Sequence, residues 1–537
     1  MSALDVRPPE WLDDAPWPGA AAEPANDPLA EREARDIAAE RTTEIFAEHD
    51  RQRAESSETK QRDVDLRTAK GMRFRDLVDG YLHTDLGNSE RLVDRHSRAI
   101  RYVPTWEKWL SWDGMRWAPD AGGVIRAAKE TVRAFRRAAL EKPDGHDGRE
   151  VANKWALESE KRARIEAMIA LARSELAVAV AHTELDSNPW ALNVTNGTLD
   201  LRTGELEPHR PEDLITKLAP VKFDPSAACP TFDKFMSEIT LGDADLIEFH
   251  RRFLGYCLTG LTREHVVAFW WGKGGNGKSV LAELIMGMLG EYAGKTAPDL
   301  LFRTERTERH PTELMDLYGL RFAISNETKK GRAWDEGRLK ELSGGDSIKA
   351  RRMREDFWSF QPTHKLTVFG NNRPTLNTCD NGIRRRLRLV PFLANFVGKE
   401  DRQLDEKLRM EAPGILNWLV AGCLAWQRSG LPDGQVVSAA TDEYLRAEDV
   451  LGQFFDEVCL FEPDARITRK TLRDAYQSWC RERDTKPVDS KTFTDAVRDR
   501  GANDKRVRET GKSQDGWAGV RVCTEIERET PQRVSVL

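Results

Sequence analysis

The sequence has no long apolar run, and its first residues do not resemble a secretory leader. A transmembrane helix requires ~20 consecutive uncharged apolar residues, and the 537-residue sequence contains no such segment. The first ten residues carry acids and prolines, whereas a signal peptide begins with basic residues and continues with an apolar run. These absences argue against membrane insertion and secretion, and we expect a cytoplasmic protein that contacts no membrane.

Cysteine is also scarce and widely spaced. The seven cysteines form no Cys-x-x-Cys pair. Such pairs are typical of zinc ribbons and redox-active sites, and small secreted scaffolds depend on disulfides. The sequence therefore argues against a zinc ribbon, an iron–sulfur cluster and a disulfide scaffold, and it fits a reducing cytosol.

An overall basic excess is absent as well. The net charge is −6, and residues 1–70 hold 17 acids and 10 bases, which leaves +1 for the remaining chain. Prolines recur between Pro8 and Pro28 and interrupt any early helix. We therefore predict that residues 1–70 form a disordered acidic arm. The nearly neutral body can still carry concentrated basic strips that bind nucleic acid.

Residues 71–230 predict a tryptophan-rich and mostly helical N-terminal domain. Ala, Arg, Glu and Leu recur at helical spacing over residues 122–184. The tryptophans between Trp106 and Trp117 could stack on bases, but burial preferences favour the core of a small β-rich subdomain. Farther along, Asn196-Gly197 lies within alternating residues and predicts a hairpin.

Residues 231–440 predict an α/β domain. Apolar strands are expected at 266–271, 321–325 and 365–370, with helices between them. Strands that alternate with helices form a mostly parallel sheet. This central sheet is where we expect the chemistry to lie.

Residues 441–537 predict a winged-helix-like DNA-binding domain. Helices are expected around 469–483 and 490–500 and are followed by a hairpin. The domain could bind DNA, or it could serve for packing or oligomerisation. Its candidate phosphate contacts are the basic residues near the first helix, which are Arg466, Arg469, Lys470 and Arg473.

The clearest motif is a glycine-rich loop between a strand and a helix. Residues 272–279 read Gly-Lys-Gly-Gly-Asn-Gly-Lys-Ser, an unbroken G-x-x-x-x-G-K-S. Glycines let successive backbone N–H groups point at phosphate oxygens, and the following helix adds its positive end. Lys278 should reach the outer phosphates, and the Ser279 hydroxyl should bind Mg²⁺. The strand and helix around the motif favour a nucleoside-triphosphate site over a chance glycine-rich turn.

Two later strands end in polar residues. Glu327 follows the strand 321–325 after one intervening residue. A carboxylate at this position could orient the attacking water, or it could be a helix-capping acid. Asn371 follows the strand 365–370 and could position the water and the γ-phosphate. An ordinary Asn-rich turn before Pro374 is the alternative for this second position.

Two basic clusters complete the pattern. Residues 349–354 carry four bases and no acid after a Gly-Gly-Asp turn, and such a strip can follow a phosphate backbone. Residues 384–388 cluster arginines before an apolar strand, and arginine stabilises a transferring phosphoryl group, often from a neighbouring subunit. Each cluster alone could equally be a solvated face.

The order of these motifs resembles superfamily-3 helicases, most closely the phage and plasmid primase–helicase branch that includes the poxvirus-type enzymes. The matching core covers about 260–395, and the segments 186–190 and 196–201 extend the resemblance to about 75–395. The resemblance implies an AAA+-like P-loop core in a ring, expected to be a hexamer. It also implies an ATP hydrolase that translocates on single-stranded DNA and unwinds forked DNA during phage, prophage or plasmid replication.

The resemblance implies a role for each candidate residue. The phosphates of ATP would be bound by Gly272, Gly274, Gly275, Asn276, Gly277, Lys278 and Ser279. Glu327 would be the Walker B acid and, with Ser279, a Mg²⁺ ligand, and Asn371 would be the sensor. DNA would be contacted by Lys349, Arg351, Arg352 and Arg354. The arginine finger that enters the neighbouring subunit's site would be Arg385 or Arg386.

Two departures from the family pattern matter. Many relatives carry paired acids at the end of the Walker B strand, whereas Ser325 and Asn326 precede the single Glu327. We therefore expect Mg²⁺ to be held mainly through Ser279 and water. No pair of acids typical of a primase domain precedes the helical domain, so primase activity is not expected and a separate primase or polymerase is an expected partner.

Two other functions stay open at this point. A P-loop kinase of small molecules would need only the glycine-rich loop. An origin-binding initiator would use ATP to assemble, with recognition in residues 441–537. The basic strip and the arginine cluster favour the helicase over both.

Overall fold

The structure, a computed structural model, describes residues 79–142, 147–304, 311–326, 331–351, 356–376, 379–509 and 512–523. The predicted acidic arm, residues 1–70, lies outside these ranges. None of the helices within them combines the length and apolar character that a membrane-spanning helix requires.

The described chain contains both helices and strands. The helices are α1 (Asp85–His96), α2 (Gly123–Leu140), α3 (Asp147–Ser159), α4 (Arg162–Ala172), α5 (Pro230–Ile239), α6 (Ala244–Tyr256), α7 (Lys278–Leu289), α8 (Glu336–Ser343), α9 (Asn381–Arg384), α10 (Leu404–Met410), α11 (Ala412–Ser429), α12 (Gln435–Glu448), α13 (Val450–Val458), α14 (Arg469–Glu482) and α15 (Ser490–Asp499). The strands are β1 (Ile100–Val103), β2 (Lys108–Trp112), β3 (Trp117–Pro119), β4 (Ala191–Val194), β5 (Gly197–Asp200), β6 (Glu205–Glu207), β7 (Val267–Trp271), β8 (Ala293–Lys295), β9 (Phe322–Asn326), β10 (Ile348–Ala350), β11 (Trp358–Phe360), β12 (Lys365–Gly370), β13 (Leu387–Pro391), β14 (Cys459–Leu460), β15 (Arg466–Thr468), β16 (Asn503–Glu509), β17 (Lys512–Ala518) and β18 (Arg521–Val522).

The chain divides into two compact units, and the first comprises residues 1–88 and 130–164. Its described part is helical, and Phe135 and Ala139 pack with small alanines of α3. The Asn88 side chain donates to the Ser159 hydroxyl at 2.9 Å and accepts from the Trp155 indole at 3.2 Å. These two hydrogen bonds satisfy the buried Asn88 amide.

The second unit, residues 89–129 and 165–537, contains the central sheet. Its five strands follow the order β13-β7-β12-β9-β8, and every neighbouring pair is parallel. This arrangement confirms the predicted α/β class with a parallel sheet. Because parallel strands end at the same edge, the loop after β7 and the residues after β9 and β12 share one side of the sheet.

Both faces of the sheet are buried, because successive side chains of a strand point to opposite faces. On β7, Ala268 and Trp270 join one apolar cluster with α5, α6, α7 and α11. Val267 and Phe269 join a second cluster, together with Leu339 and Tyr444 from α8 and α12. Continuous apolar strands therefore fold as the inner strands of a covered sheet.

Smaller antiparallel sheets flank this core within the second unit. The sheet β1-β2-β3 buries Trp117 completely, in agreement with a structural role for that tryptophan. The predicted Asn-Gly hairpin is confirmed, since Val194 of β4 pairs with Gly197 of β5. Near the C-terminus, helices α13, α14 and α15 and the sheet β15-β17-β16 enclose a separate apolar cluster that contains Phe454.

Candidate nucleotide site

A cavity of about 220 Å³ lies at the carboxyl ends of the parallel strands. Lys278 and Ser279 line it from the start of α7, and Asn326 and Asn371 line it from the ends of β9 and β12. Ligands of parallel α/β sheets bind at this edge. The fold thus brings together the loop and the Asn371 amide that the sequence assigned to one site.

The loop conformation depends on glycine. Gly275 and Gly277 have φ angles of 74° and 87°, a region that side-chain-bearing residues rarely adopt. A Cβ atom on Gly277 would approach Ile239 Cγ2 to 2.5 Å, and one on Gly272 would approach the Phe392 carbonyl oxygen to 2.2 Å. The loop therefore has no space for larger residues at these positions.

The start of α7 offers unsatisfied backbone donors. Gly277 is the N-terminal cap of α7, and as a glycine it has no side chain that could accept a hydrogen bond from the helix. The first N–H groups of a helix have no partner within the helix and carry a partial positive charge. They fit a phosphate group placed above Gly277 and Lys278.

The Lys278 ammonium is buried beneath the loop. Its Nζ donates to the Gly272 carbonyl at 2.6 Å and to Asn276 Oδ1 at 3.1 Å, and Asn371 Oδ1 lies 3.5 Å away. No carboxylate of the described residues forms an ion pair with it. Burial lowers the pKa of Lys278 well below its ordinary value, to about 8. A cation held without an anion is chemically suited to an anionic ligand.

This pKa predicts that nucleotide binding weakens in alkaline solution. The protonated amine attracts phosphate, and above pH 8 the free protein must take up a proton to bind. We expect the affinity to fall by up to about tenfold per pH unit above pH 8. Titration of a fluorescent nucleotide from pH 7 to pH 9.5 measures the profile, and calorimetry in two buffers of different ionisation enthalpy counts the proton.

Lys278→Arg is the matched control for this profile, because a guanidinium stays charged over the whole range. Its affinity, whatever its absolute value, should not change between pH 7 and pH 9.5. A wild-type profile as flat as that of the variant would contradict the assignment.

Asn276 anchors the loop to the chain that follows β13. Its Nδ2 donates to the Phe392 carbonyl at 2.9 Å, and the Phe396 N–H donates to the Gly275 carbonyl at 2.7 Å. Asn276 is buried, whereas Ser279 is exposed in the cavity. Asn276 therefore fixes the shape of the loop and the position of the Lys278 amine.

Some site residues lie outside the described ranges, and others escaped the sequence analysis. Glu327, Arg352 and Arg354 are not among the described residues. Lys295, at the end of β8, lines the cavity but was not predicted. Once β8 is recognised as a parallel strand, Lys295 at its carboxyl end is expected at the same edge of the sheet as the cavity.

A metal-ion site built by the protein alone is not evident. No group of three or more His, Cys, Asp or Glu in the described part of the chain could hold a metal ion. The exposed Ser279 hydroxyl beside Lys278 fits a Mg²⁺ ion that arrives with the phosphates, since Mg²⁺ is usually held by one or two protein ligands, water and phosphate.

The two candidate finger arginines lie at the opposite edge of the sheet. They follow α9 and precede β13, whose first residue pairs with Val267 at the beginning of β7. Arg385 is exposed, and its guanidinium forms no hydrogen bond or ion pair with any described residue, whereas its backbone N–H donates to the Asn381 carbonyl at 3.1 Å. Arg386 donates to the Gly382 carbonyl at 3.0 Å and is partly buried. The fold therefore keeps both arginines away from the cavity of their own subunit.

The basic strip begins on a hairpin. Strands β10 and β11 pair antiparallel, and Lys349 faces Ser359 across the pair. Lys349 Nζ and Arg351 Cζ lie 5.5 Å and 4.6 Å from the centroid of the Phe357 ring, which is 46% exposed. An exposed aromatic ring between two cations is a surface that suits single-stranded nucleic acid.

An aromatic cluster holds the base of this hairpin. Trp358 contacts Trp106, His182 and Tyr318, with ring centroids 5.0–6.1 Å apart. Phe360 contacts Tyr318 at 5.3 Å. Trp106 thus packs in the core of the second unit and fixes the base of the hairpin, whereas Lys349 and Phe357 are exposed.

Comparisons with known proteins cover the region of this site. Residues 89–241 match the family described as D5 N terminal like, and residues 270–386 match a family of unknown function, DUF5906. A protein of Acanthamoeba polyphaga mimivirus named "Putative helicase" is 28% identical over 319 residues, which are 55% of this chain and 33% of that protein. In sequence, the chain is therefore similar to D5-like primase–helicases over these regions.

Other relatives of this D5-like chain come from large DNA viruses. A "Putative helicase" of Frog virus 3 is 26% identical over 55% of this chain and 39% of its own length. A "Putative primase" of African swine fever virus is 26% identical over 55% of this chain and 34% of its own length. The chain spans about a third of the length of the curated relatives it matches.

Among solved structures, the A-form apo structure of the NrS-1 C-terminal region covers 78% of this chain and 96% of its own. The sequence identity is 10% and the TM-score is 0.42, which is too low to add to the fold assignment. The similarity to D5-like proteins therefore depends on sequence alone.

In this D5-like chain, most of the basic residues proposed for the C-terminal face are already engaged. Arg469 pairs with Asp504 and lies over the Trp517 ring, and Arg473 donates to the Val488 carbonyl at 2.5 Å. Arg466 bonds two backbone carbonyls. Only Lys470 of the four has no such contact with the described residues. These contacts favour a role in packing over DNA binding for the face formed by these four basic residues.

Proposed function

We propose that the protein is an ATP-dependent DNA helicase that replicates a phage, prophage or plasmid. Its central domain would be an AAA+-like P-loop ATPase, its C-terminal residues would form a winged-helix domain, and a ring of copies would translocate on single-stranded DNA. One observation carries the proposal. The Lys278 amine lies within 3.5 Å of the Asn371 amide, beside free helix N–H groups at the carboxyl edge of a parallel sheet. The names of the viral relatives support the same function.

The geometry suggests how the residues would act on ATP. Backbone N–H groups of residues 275–279 would bind phosphate oxygens, and Lys278 would leave the Gly272 carbonyl to meet the outer phosphates. A Mg²⁺ ion at Ser279 would neutralise phosphate charge when ATP is bound. Asn371, already beside Lys278, would hold the attacking water in line with the γ-phosphate. Glu327 would polarise that water.

The test is ATP-driven separation of a forked DNA duplex, measured together with ATPase activity with and without single-stranded DNA. Unwinding and a DNA-stimulated ATPase support the helicase. An ATPase that ignores DNA and phosphorylates a metabolite would support a kinase instead. Sequence-specific protection of duplex DNA without strand separation would support an initiator.

The hairpin makes a separate prediction about DNA affinity. Replacing Lys349 and Arg351 together by alanine removes two cations from the exposed end of β10–β11. We expect single-stranded DNA to bind about 10- to 100-fold more weakly, and the slope of log affinity against log salt to fall by about 0.7 for each lost phosphate contact. Fluorescence anisotropy at several salt concentrations measures both quantities.

The matched control replaces Lys234 and Arg409, two helical surface cations that are 76% and 73% exposed, by alanine. This variant loses the same charge and should keep the wild-type slope. If both variants lose affinity equally, the hairpin is not the contact and general charge attraction explains the binding.

A further inference from the structure

One helix contacts the segment that connects the candidate sensor, Asn371, to the candidate finger arginines, Arg385 and Arg386. That helix is α12, and the chain it holds runs from Arg373 to Leu389. Thr441 Oγ1 accepts from the Leu389 N–H at 2.9 Å, and Glu448 Oε2 accepts from the Leu376 N–H at 3.0 Å. Further contacts are the Arg373–Glu443 ion pair at 2.9 Å, the Tyr444 hydrogen bond to the Pro374 carbonyl and the Cys379 bond to the Leu445 carbonyl.

The last contact in this series joins Arg384 to Asp449. Arg384 Nη2 donates to Asp449 Oδ2 at 2.9 Å, and its Nε donates to the Cys379 carbonyl at 2.9 Å. The guanidinium of Arg384 is thus held by two hydrogen bonds, one from Nη2 and one from Nε. Because Arg384 is the last residue of α9 and directly precedes Arg385, the contacts that hold Arg384 also hold the backbone from which the Arg385 side chain extends.

Asp449 also belongs to the C-terminal module, which we define as residues 449–523. It ends α12 and caps α13, where its Oδ1 accepts from the Gly452 N–H at 2.8 Å. A Cβ atom on Gly452 would lie 2.4 Å from Asp449 Oδ2, so glycine leaves the space that this carboxylate occupies. Helix α13 packs through Leu451 and Phe454 into the core of the module.

A cleft of about 850 Å³ lies beside the contact between Arg384 and Asp449. Arg384, Arg385 and Arg386 line one side, and residues of α13 and α15, including Asp495 and Asp499, line the other. The arginines therefore lie next to the module rather than on a remote surface. Movement of α13 would move Asp449 and, through it, Arg384.

We propose that Asp449 is a positioning residue that orients the Arg385 finger through Arg384 and couples it to the C-terminal module. The inference rests on the proposed function, in which the finger completes the ATP site of a neighbouring copy. Asp449 touches neither nucleotide nor DNA in this scheme. It acts by holding Arg384, and a displacement of about 1 Å in a catalytic group can lower turnover about 100-fold.

The variant Asp449→Asn tests this role, because asparagine keeps the helix cap and removes the charge that holds Arg384. We expect the kcat of DNA-stimulated ATPase to fall about 10- to 100-fold, with unchanged KM, nucleotide affinity and melting temperature. Arg384→Gln should give the same loss. The control Asp456→Asn removes an acid of α13 that pairs with Arg500 at 2.7 Å and should behave as wild type.

Mixing variants separates positioning from general damage. A ring of Asp449→Asn and Lys278→Ala copies contains interfaces with an intact loop on one side and an intact finger on the other, so activity should return. A ring of Asp449→Asn and Arg385→Ala copies has a defective finger at every interface and should stay inactive.

The outcomes distinguish this inference from the proposed function. If Arg385→Ala and Lys278→Ala restore each other but Asp449→Asn and Lys278→Ala do not, the positioning role is wrong and the shared site stands. Wild-type turnover of Asp449→Asn also overturns the role. If Arg385→Ala and Lys278→Ala fail to restore each other, the shared site fails and the positioning role fails with it.

Discussion

Lys278→Ala is expected to abolish ATP hydrolysis and DNA unwinding. The variant removes the only cation that the described structure places beneath the loop, where it contacts Gly272, Asn276 and Asn371. Loss of one preorganised donor to transition-state charge costs about 100- to 1,000-fold in kcat. Steady-state ATPase and forked-DNA assays measure the loss.

The stability of Lys278→Ala separates a chemical loss from a folding loss. Burial lowers the pKa of Lys278, so the folded protein disfavours its charged form. Removing the amine should therefore leave the melting temperature unchanged or raise it, and assembly should be retained. Unwinding by this variant would refute the site, and a large drop in melting temperature would mean that Lys278 serves mainly the fold.

The parts of the fold that sequence predicted well are those with strong local signals. Strand β7 is a continuous apolar run and strands β9 and β12 are mostly apolar and buried, and covered parallel strands have this pattern. The glycine-rich loop was equally clear, since Gly275 and Gly277 adopt positive φ angles that other residues avoid. In these cases local composition and tertiary position agree.

Strand β8 was missed because its signal is weak. It reads Ala-Gly-Lys over three residues and contains no β-branched or aromatic side chain. It becomes a strand because β9 pairs with it in parallel, from Ala293 opposite Phe322 to Lys295 opposite Ile324. Lys295, which lines the cavity, could not be proposed without that pairing.

Long-range partners explain the other differences. The sequence showed basic residues around α14 but not that Asp504, 35 residues beyond Arg469, neutralises that arginine. Likewise, Arg385 and Arg386 looked equivalent in sequence. Only the structure shows that Arg386 is bonded to the Gly382 carbonyl while Arg385 is exposed. A run of charged residues predicts an exposed surface, but tertiary contacts decide which of those residues remain free to bind a ligand.

Arg385→Ala is expected to lower ATPase turnover severely as well. Its exposed guanidinium lies at the edge of the sheet opposite the loop and forms no hydrogen bond or ion pair with a described residue, so it is available to a neighbouring copy. An arginine that stabilises the transferring phosphoryl group contributes about 1,000- to 100,000-fold to kcat. We expect that loss in ATPase turnover with normal nucleotide affinity. Arg386→Ala should lose much less, since Arg386 is bonded within its own subunit.

A mixture of Arg385→Ala and Lys278→Ala decides whether the finger acts between subunits. In an equal mixture about a quarter of the head-to-tail interfaces combine an intact loop with an intact finger, so substantial ATPase should return from two inactive proteins. A finger acting within its own subunit predicts no recovery, because every copy then carries one defect. Equal losses in Arg385→Ala and Arg386→Ala, without recovery on mixing, would place both arginines in the fold rather than in catalysis.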